Sequence, residues 1–576
     1  MKRTAIAAVV AASALWGCGR LATPEAEVGR LCQQVQGFTV IDLPREAGRV
    51  VLKAQQALTV DDLRGVELDS EPPQLAAPAK PYDPRMTDAF PPGQAPYVAR
   101  GIRPFRFRRF TNEFSYGGWH NFAMQDYAQA HGFGVLFPYN RGIADCGHLP
   151  AGTRWLRWGG FVNWHKWLKE HGIPKGRYDA LAGMDVPGIL ASEGVFKPEA
   201  GYDFLMIDME HGVLSPEKLR EQPWYPGNAE AQEAFEKRYY DGYAATYTGP
   251  VRAARRAGWR TISLYGWQPF ARTFWGLEKV KLDPATHWAW SRFGKAIYEA
   301  VDIVNPSVYC FYWTPKNVAY VLGNIDLNVR LVRSMARRKP VRPYYWTLLH
   351  GGGGGKRWWS QQPIRDEDVR AMTALSFFAG IDGIVLWNWS GTGDHHVPMV
   401  KSDADAIVGE AFDAPPAKDA KAKPERFSRY DALHILDVGK EGTVTFQRID
   451  KAAGRPAKGS PVCSMAKDDL VRQLRAASEP VAAMIEGLAL VRPIEGLLRD
   501  GEVKTDCSMQ QCYADDLPIV RRVKLGRWHV LATYDPLWQE RGEPSQVVLE
   551  DFDGVEGLTL VVPADAETRV FILREP

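Results

Sequence analysis

The chain has 576 residues, of which 45% are hydrophobic and 24% are charged. These fractions are ordinary for a globular protein with a sizeable core, and they exclude a disordered chain, a collagen and a coiled coil. The formal net charge is only +3, so we expect no nucleic-acid partner, because nucleic-acid binding relies on a strong positive field. The 20 Trp, 22 Tyr and 24 Phe residues form a surplus that suits either stacking on sugar rings or the filling of a large core.

The N-terminus reads as an export signal. A mostly apolar run over residues 4–16 follows a short basic start and is too short to span a bilayer. Residues 15–18, Leu-Trp-Gly-Cys, resemble the bacterial lipobox, which implies cleavage before Cys18 and lipidation of its thiol. We therefore predict a lipoprotein signal peptide over residues 1–17 and a lipid anchor in a bacterial membrane, with the outer membrane or cell surface expected. Ordinary secretion, with Cys18 discarded, is the alternative.

Cysteine usage indicates disulfides rather than metal sites. Six of the seven cysteines lie beyond the lipobox, and an even number in an exported chain permits pairing, with Cys507 joined to Cys512 or to Cys463. No pair has zinc-finger spacing. We expect no metal and no other cofactor.

Two compositional breaks divide the chain. One is rich in Pro and Ala over residues 71–92, and the other is rich in Pro, Ala and Lys over residues 413–424. The predicted units are an N-terminal extension and linker (18–100), a catalytic barrel (101–412), a linker (413–425) and a C-terminal β domain (426–576).

Strand-like and helix-like stretches alternate between the breaks. The predicted strands are residues 105–110, 134–138, 159–162, 204–209, 261–265, 303–308, 342–348 and 381–387. The predicted helices are residues 230–257, 288–301, 316–338 and 366–379. Eight such units predict the α/β class and a (β/α)8 TIM-type barrel.

Short runs of alternating apolar and polar residues follow the second break and predict an all-β, sandwich-like domain. They are residues 442–446, 528–533, 546–549, 558–562 and 568–573, with a helical insertion near 467–488. Two further strand-like pieces lie at residues 38–41 and 49–52.

The fourth predicted barrel strand ends in two carboxylates. Side chains alternate along a strand, so Asp208 and Glu210 share a face with apolar residues that precede them, while Met209 belongs to the opposite, wholly apolar face. Barrel active sites lie at the C-terminal ends of strands. Two neighbouring carboxyl groups repel, which raises one pKa. We predict Glu210 as a general acid and Asp208 as its ionised neighbour; the alternative is a strand end whose carboxylates are solvated or paired with Arg.

Four segments in order resemble hyaluronidases of glycoside hydrolase family 56. Residues 208–210, Asp-Met-Glu, resemble the Asp-Trp-Glu strand end of that family and the Asp-x-Glu end of the chitinase-like signature. Residues 264–269, 305–309 and 379–387 resemble its Trp-Gly-Tyr/Phe-Tyr, Tyr-Pro-Ser-Ile-Tyr and Gly-Ala-Ala-Gly-Val-Val-Leu-Trp segments. The resemblance is remote and covers about residues 100–395.

This resemblance implies a retaining, substrate-assisted glycoside hydrolase acting on a β-linked polysaccharide that contains N-acetylhexosamine. Glu210 would protonate the leaving oxygen and then activate water, and Asp208 would hold the acetamido N–H. Tyr309 would bind the acetamido group beside Tyr265, and Trp387 would form the floor under the reacting sugar. Plain barrel filling is the alternative for these aromatic residues.

Four further residues are predicted to contact substrate. Trp267 belongs to the second resembling segment, and Trp389 follows the eighth strand as part of the rim. Asn112 and Glu113 lie near the end of the first strand, where Glu113 is also a candidate second carboxylate.

Two other functions stay open on the sequence. One is a glycosidase of another family, in which Glu210 works with a distant carboxylate on a glycan that lacks acetamido groups. The other is a non-catalytic glycan-binding or scaffold lipoprotein of the cell envelope.

Overall fold

We describe the fold from a computed structural model of the chain. The described residues are 23–74, 76, 100–115, 122–138, 142–160, 164–267, 287–311, 314–350, 364–387, 426–428, 433–439, 442–448, 462–466, 480–550, 552 and 556–576. Within these ranges no helix is long and apolar enough to cross a bilayer.

The N-terminal segment contributes one helix and two short strands. They are α1 (Pro24–Gln34), β1 (Ile41–Asp42) and β2 (Gly48–Val51). Thr23 caps α1 by accepting a hydrogen bond from the Ala26 amide.

Eight parallel strands form the predicted barrel. They are β3 (Asn112–Ser115), β4 (Phe133–Leu136), β5 (Arg154–Gly160), β6 (Phe204–Asp208), β7 (Ile262–Gly266), β8 (Ile303–Pro306), β9 (Tyr344–Tyr345) and β10 (Val385–Trp387). Their order is β8-β7-β6-β5-β4-β3-β10-β9. Parallel bridges from Val304 to Val341 and from Ser307 to Tyr344 join β8 to β9. The sheet therefore closes on itself as a (β/α)8 barrel, which confirms the predicted fold class.

Helices surround the barrel. They are α2 (Phe122–Ala130), α3 (Trp164–Glu170), α4 (Val186–Ser192), α5 (Pro216–Arg220), α6 (Ala229–Ala257), α7 (Lys295–Ala300), α8 (Asn317–Arg333) and α9 (Asp366–Phe378). The predicted helix over 230–257 matches α6 closely, because the Asn228 side chain caps its first turn.

The first barrel strand does not lie where it was predicted. Residues 105–110 are not a strand, and β3 begins two residues later at Asn112. The backbone amides of Arg108, Arg109 and Phe110 donate hydrogen bonds to the buried Glu495 carboxylate. These amides are therefore unavailable to a neighbouring strand, which explains the error.

The C-terminal region is built mainly of strands. They are β11 (Arg426–Ser428), β12 (Leu433–Val438), β13 (Thr443–Arg448), β14 (Val462–Ala466), β15 (Glu502–Lys504), β16 (Ile519–Leu525), β17 (Trp528–Tyr534), β18 (Ser545–Leu549), β19 (Leu558–Ala564) and β20 (Arg569–Arg574). The five-stranded sheet β1-β20-β17-β16-β15 packs on the three-stranded sheet β18-β19-β2 through buried residues that include Leu531, Phe571 and Leu560. The N-terminal strands thus complete this sandwich, and β11 to β14 form a separate antiparallel sheet.

Helices of the C-terminal region connect it to the barrel. They are α10 (Pro480–Val491), α11 (Glu495–Asp500), α12 (Met509–Asp515) and α13 (Trp538–Arg541). A side chain at Gly487 would lie 2.7 Å from the Arg370 carbonyl oxygen. Glycine at this position therefore allows α10 to approach α9 closely, and both helices contribute to one continuous core.

Candidate active site

The two predicted carboxylates lie at the C-terminal end of β6. Phe204 and Met206 face the aromatic cluster inside the barrel, whereas Leu205, Ile207 and Met209 pack in the outer core. Asp208 ends the strand on the inner face and is partly buried, and Glu210 follows as an exposed residue. The alternation predicted from the sequence is therefore present, and it brings the acidic pair to the barrel mouth.

The raised pKa of the pair belongs to Asp208. Burial is the largest cause, the negative charge of Glu210 is the next, and together they raise the pKa of Asp208 to about 6. The Trp158 indole beside the carboxyl group has the opposite, smaller effect. The sequence-based prediction placed the retained proton on Glu210, but in the free protein burial favours a proton on Asp208 below about pH 6.

We expect Asp208→Asn to stabilise the protein at neutral pH. A carboxyl group whose pKa is raised in the folded state binds its proton more tightly there, so wild type loses stability as the pH rises from about 4 to about 6. The amide carries no charge, so the variant does not lose stability over this pH range. Thermal unfolding should give a higher Tm for the variant at pH 7.5 and equal values near pH 4. A variant whose Tm equals that of wild type at both pH values would contradict this prediction. Asp241→Asn, which changes an exposed carboxylate, is the control.

Three of the predicted aromatic residues meet inside the barrel mouth. The Tyr265 ring centroid lies 6.2 Å from that of Tyr309 and 6.3 Å from that of Trp387. Trp346, which the sequence analysis did not single out, adds a ring 5.8 Å from Tyr309. Its buried indole N–H has no hydrogen-bond partner among the described residues. The mouth therefore offers flat apolar surfaces, and one indole N–H without a partner among the described residues belongs to the same cluster.

Trp267 lies outside this cluster. Its indole N–H donates a hydrogen bond to the Tyr243 hydroxyl at 3.2 Å, and its ring packs against Tyr298 in the helix layer. The reason is Gly266, whose φ of 61° lies in the left-handed region and interrupts the alternation that would have placed Trp267 beside Tyr265. The structure therefore does not bring Trp267 to the mouth.

Asn112 and Glu113 are buried at internal positions. The Asn112 amide donates to the Gly132 carbonyl and accepts from the Ile384 amide, at 3.0 Å in both cases. Glu113 forms a buried ion pair with Arg342. Each side chain is thus held by partners between or inside the strands. Cys18 and Trp389 lie outside the described residues.

Tyrosines of α6 hold the chain that follows Glu210. The hydroxyls of Tyr243 and Tyr247 both donate to the His211 carbonyl at 2.9 Å, and Tyr247 also accepts from the His211 amide. Tyr240 donates to the Leu214 carbonyl at 3.1 Å. These tyrosines were not predicted from the sequence, although their spacing of three and four residues places their side chains on one side of the helix.

His211 is neutral at physiological pH. Burial is the main cause that lowers its pKa to about 4, and the nearby His165 and Lys175 contribute. The His165 ring centroid lies 4.3 Å from that of His211. The residue that follows Glu210 therefore carries an uncharged imidazole.

Comparisons with known proteins give remote matches among solved structures. No protein-family model matches the chain, and no curated protein does so. Bee venom hyaluronidase in complex with a hyaluronic acid tetramer is 18% identical with a TM-score of 0.25, and the match covers 32% of this chain and 60% of that chain. A GH18 chitinase from Pseudoalteromonas aurantia is 14% identical with a TM-score of 0.27, covering 50% and 97%. An Anoxybacillus α-amylase is 9% identical with a TM-score of 0.31, covering 79% and 89%.

The chain is thus remotely similar to a hyaluronidase and to a chitinase, as its motifs predicted. The match spans less than two thirds of the bee venom hyaluronidase chain.

Proposed function

We propose that this protein is a glycoside hydrolase that cleaves a β-linked polysaccharide next to N-acetylhexosamine. The observation that carries the proposal is the acidic pair Asp208 and Glu210 at the barrel mouth, above a lumen lined by aromatic rings. Barrel enzymes place their reacting groups at this end of the strands. The negative charge of Glu210 acts on the partly buried Asp208 and raises its pKa, so the two carboxyl groups are coupled at the place where acid–base catalysis would occur.

The proposed reaction is retaining and uses the substrate's own acetamido group. The acetamido oxygen attacks the anomeric carbon while Glu210 donates a proton to the leaving oxygen. Asp208, as a carboxylate, accepts a hydrogen bond from the acetamido N–H and stabilises the positive charge of the oxazolinium-like intermediate. Glu210 then removes a proton from the water that opens this intermediate.

Substrate binding would favour the ionised form of Asp208. In the free protein, burial favours a proton on Asp208. A hydrogen bond from the acetamido N–H to Asp208 favours its charged form and lowers its pKa, so bound substrate favours the carboxylate that the proposed mechanism requires. A sugar without this N–H gives no such shift, so the pair itself selects acetamido sugars.

The aromatic cluster would bind the reacting sugar. Trp387 is half-buried at the end of β10 and offers a face for the apolar side of a sugar ring. Tyr265 and Tyr309 lie within ring contact of each other, where their hydroxyls can bond the acetamido group. Glu113, the other carboxylate predicted near the site, forms an ion pair with Arg342.

Hydrolysis of matched polymers tests the proposal. Purified protein is incubated with hyaluronan, chondroitin, chitin oligomers, de-N-acetylated chitin oligomers and neutral glucans, and new reducing ends are measured. We expect cleavage of at least one acetamido polymer, no cleavage of its de-N-acetylated form or of glucans, and inhibition by a thiazoline that mimics the intermediate. Cleavage of neutral glucans would favour another glycosidase mechanism, and binding without cleavage would favour a scaffold; either result would overturn the proposal.

A further inference from the structure

Cys507 and Cys512 flank the start of α12. Ser508 is the N-cap of this helix, and its hydroxyl accepts a hydrogen bond from the Gln511 amide at 3.1 Å. Cys507 therefore occupies the position before the cap, and Cys512 occupies the fourth helical position. Side chains at these two positions meet across the first turn in the motif known as the hydrophobic staple. The cap itself thus determines that the two sulfur atoms approach each other.

The two thiols are in contact. Cys512 Sγ donates a hydrogen bond to Cys507 Sγ over 3.3 Å, and both residues are thiols in the structure. A disulfide needs a sulfur–sulfur distance of about 2.05 Å, so closure requires a combined movement of little more than about 1 Å. Cys32, Cys146 and Cys310 are also free thiols.

The two thiols differ in exposure and acidity. Cys507 is partly exposed, and the hydrogen bond from Cys512, supported by the Arg521 guanidinium, lowers the pKa of Cys507 to about 7. Cys512 is buried, and both Cys507 and burial raise its pKa. Cys507 is therefore the accessible nucleophile, since the thiolate is the reactive form of cysteine.

We propose that Cys507 and Cys512 form an intramolecular disulfide that closes this helix turn covalently. The Cys507 thiolate attacks one sulfur of an external disulfide, which releases one thiol and leaves a mixed disulfide on Cys507. Cys512 then loses its proton and attacks Cys507 Sγ, which releases the second thiol. Two electrons and two protons pass from the protein to the external disulfide, which becomes two thiols.

The bond would fix a junction between the barrel and the C-terminal region. Lys316, which precedes barrel helix α8, donates to the Tyr513 carbonyl at 3.0 Å and pairs with Asp516 at 3.0 Å. The segment that contains Ser508 and Met509 also lines a cavity of about 380 Å³ against α8. Formation of the Cys507–Cys512 disulfide would therefore hold α12 and the segment that lines the cavity in one arrangement.

Mass spectrometry of the full-length protein tests the proposal. The protein is treated with oxidised glutathione, the remaining thiols are blocked with N-ethylmaleimide, and trypsin releases residues 505–521 as one peptide containing both cysteines. With blocking carried out on the denatured protein, we expect this peptide unblocked and two hydrogen masses lighter than the dithiol. Protein that is reduced instead of oxidised before blocking should give the same peptide blocked twice. Two blocked thiols after oxidation, or a bond from this peptide to Cys463, would overturn the proposal.

Single variants test the assigned roles. Cys512→Ser should accumulate a glutathione adduct on Cys507, whereas Cys507→Ser should leave Cys512 largely unmodified in the folded protein. Cys32→Ser is the matched control, because it removes another partly exposed cysteine and should leave the Cys507–Cys512 bond intact. Adduct formation on Cys512 alone would overturn the order of attack. Retained secondary structure by circular dichroism confirms that each variant is folded.

Discussion

Replacing Glu210 with Gln is expected to lower kcat on the cleaved acetamido polymer by about 10²- to 10⁴-fold, the usual contribution of a general acid–base residue. The amide keeps the size of the side chain but neither donates the acidic proton nor activates water. Initial rates of reducing-end formation at saturating substrate measure the effect. KM should change much less, because Glu210 is exposed at the mouth and the sugar is held mainly by the aromatic cluster.

Two comparisons separate this effect from a general loss of activity. Glu233→Gln changes an exposed carboxylate on α6 and should keep wild-type kcat. An aryl glycoside whose phenol leaves without a proton should recover bond cleavage in the Glu210→Gln variant, because the first step no longer needs an acid. If Glu210→Gln keeps more than half of the wild-type rate on the polymer, Glu210 is not the acid.

Local signals in the sequence were sufficient to predict much of the barrel. The outer helices α6 and α9 lie almost where their periodicity predicted, because their ends are marked by Asn228 and by the acidic first turn at Asp366. The acidic pair was also predictable, since alternation along β6 depends only on neighbours in the chain.

Contacts between distant parts of the chain, together with one unusual backbone conformation, account for the features that the sequence did not predict. The first strand was misplaced because Glu495, nearly 400 residues away in the chain, binds the amides of residues 108–110. The raised pKa of Asp208 in the free protein was not predicted, because burial of this side chain depends on how neighbouring strands pack around it. Trp267 was misplaced by the backbone conformation of one glycine, Gly266. No periodic pattern in the sequence indicates any of these features.

Replacing Glu486 with Gln is expected to cause a large loss of stability. Its side chain on α10 is only 1% exposed and accepts hydrogen bonds from Arg64 at 3.2 Å, Arg100 at 3.2 Å and Arg370 at 2.6 Å. Removing the negative charge leaves three guanidinium groups around a neutral amide. Breaking a buried ion pair in this way costs about 3–5 kcal/mol. We expect a lower Tm and a lower denaturant midpoint, with catalysis at 25 °C retained by the folded fraction.

Salt distinguishes this buried cluster from ordinary surface charge. Asp241→Asn removes an exposed partner of Lys237 and should change the free energy of unfolding by less than about 1 kcal/mol. At about 1 M salt the screening length falls to about 3 Å, so this small difference should vanish. The Glu486→Gln difference should largely persist, because the Glu486 side chain is only 1% exposed and buried charges are screened much less than exposed ones. If salt removed both differences equally, the cluster would be solvated and would contribute no more than a surface pair.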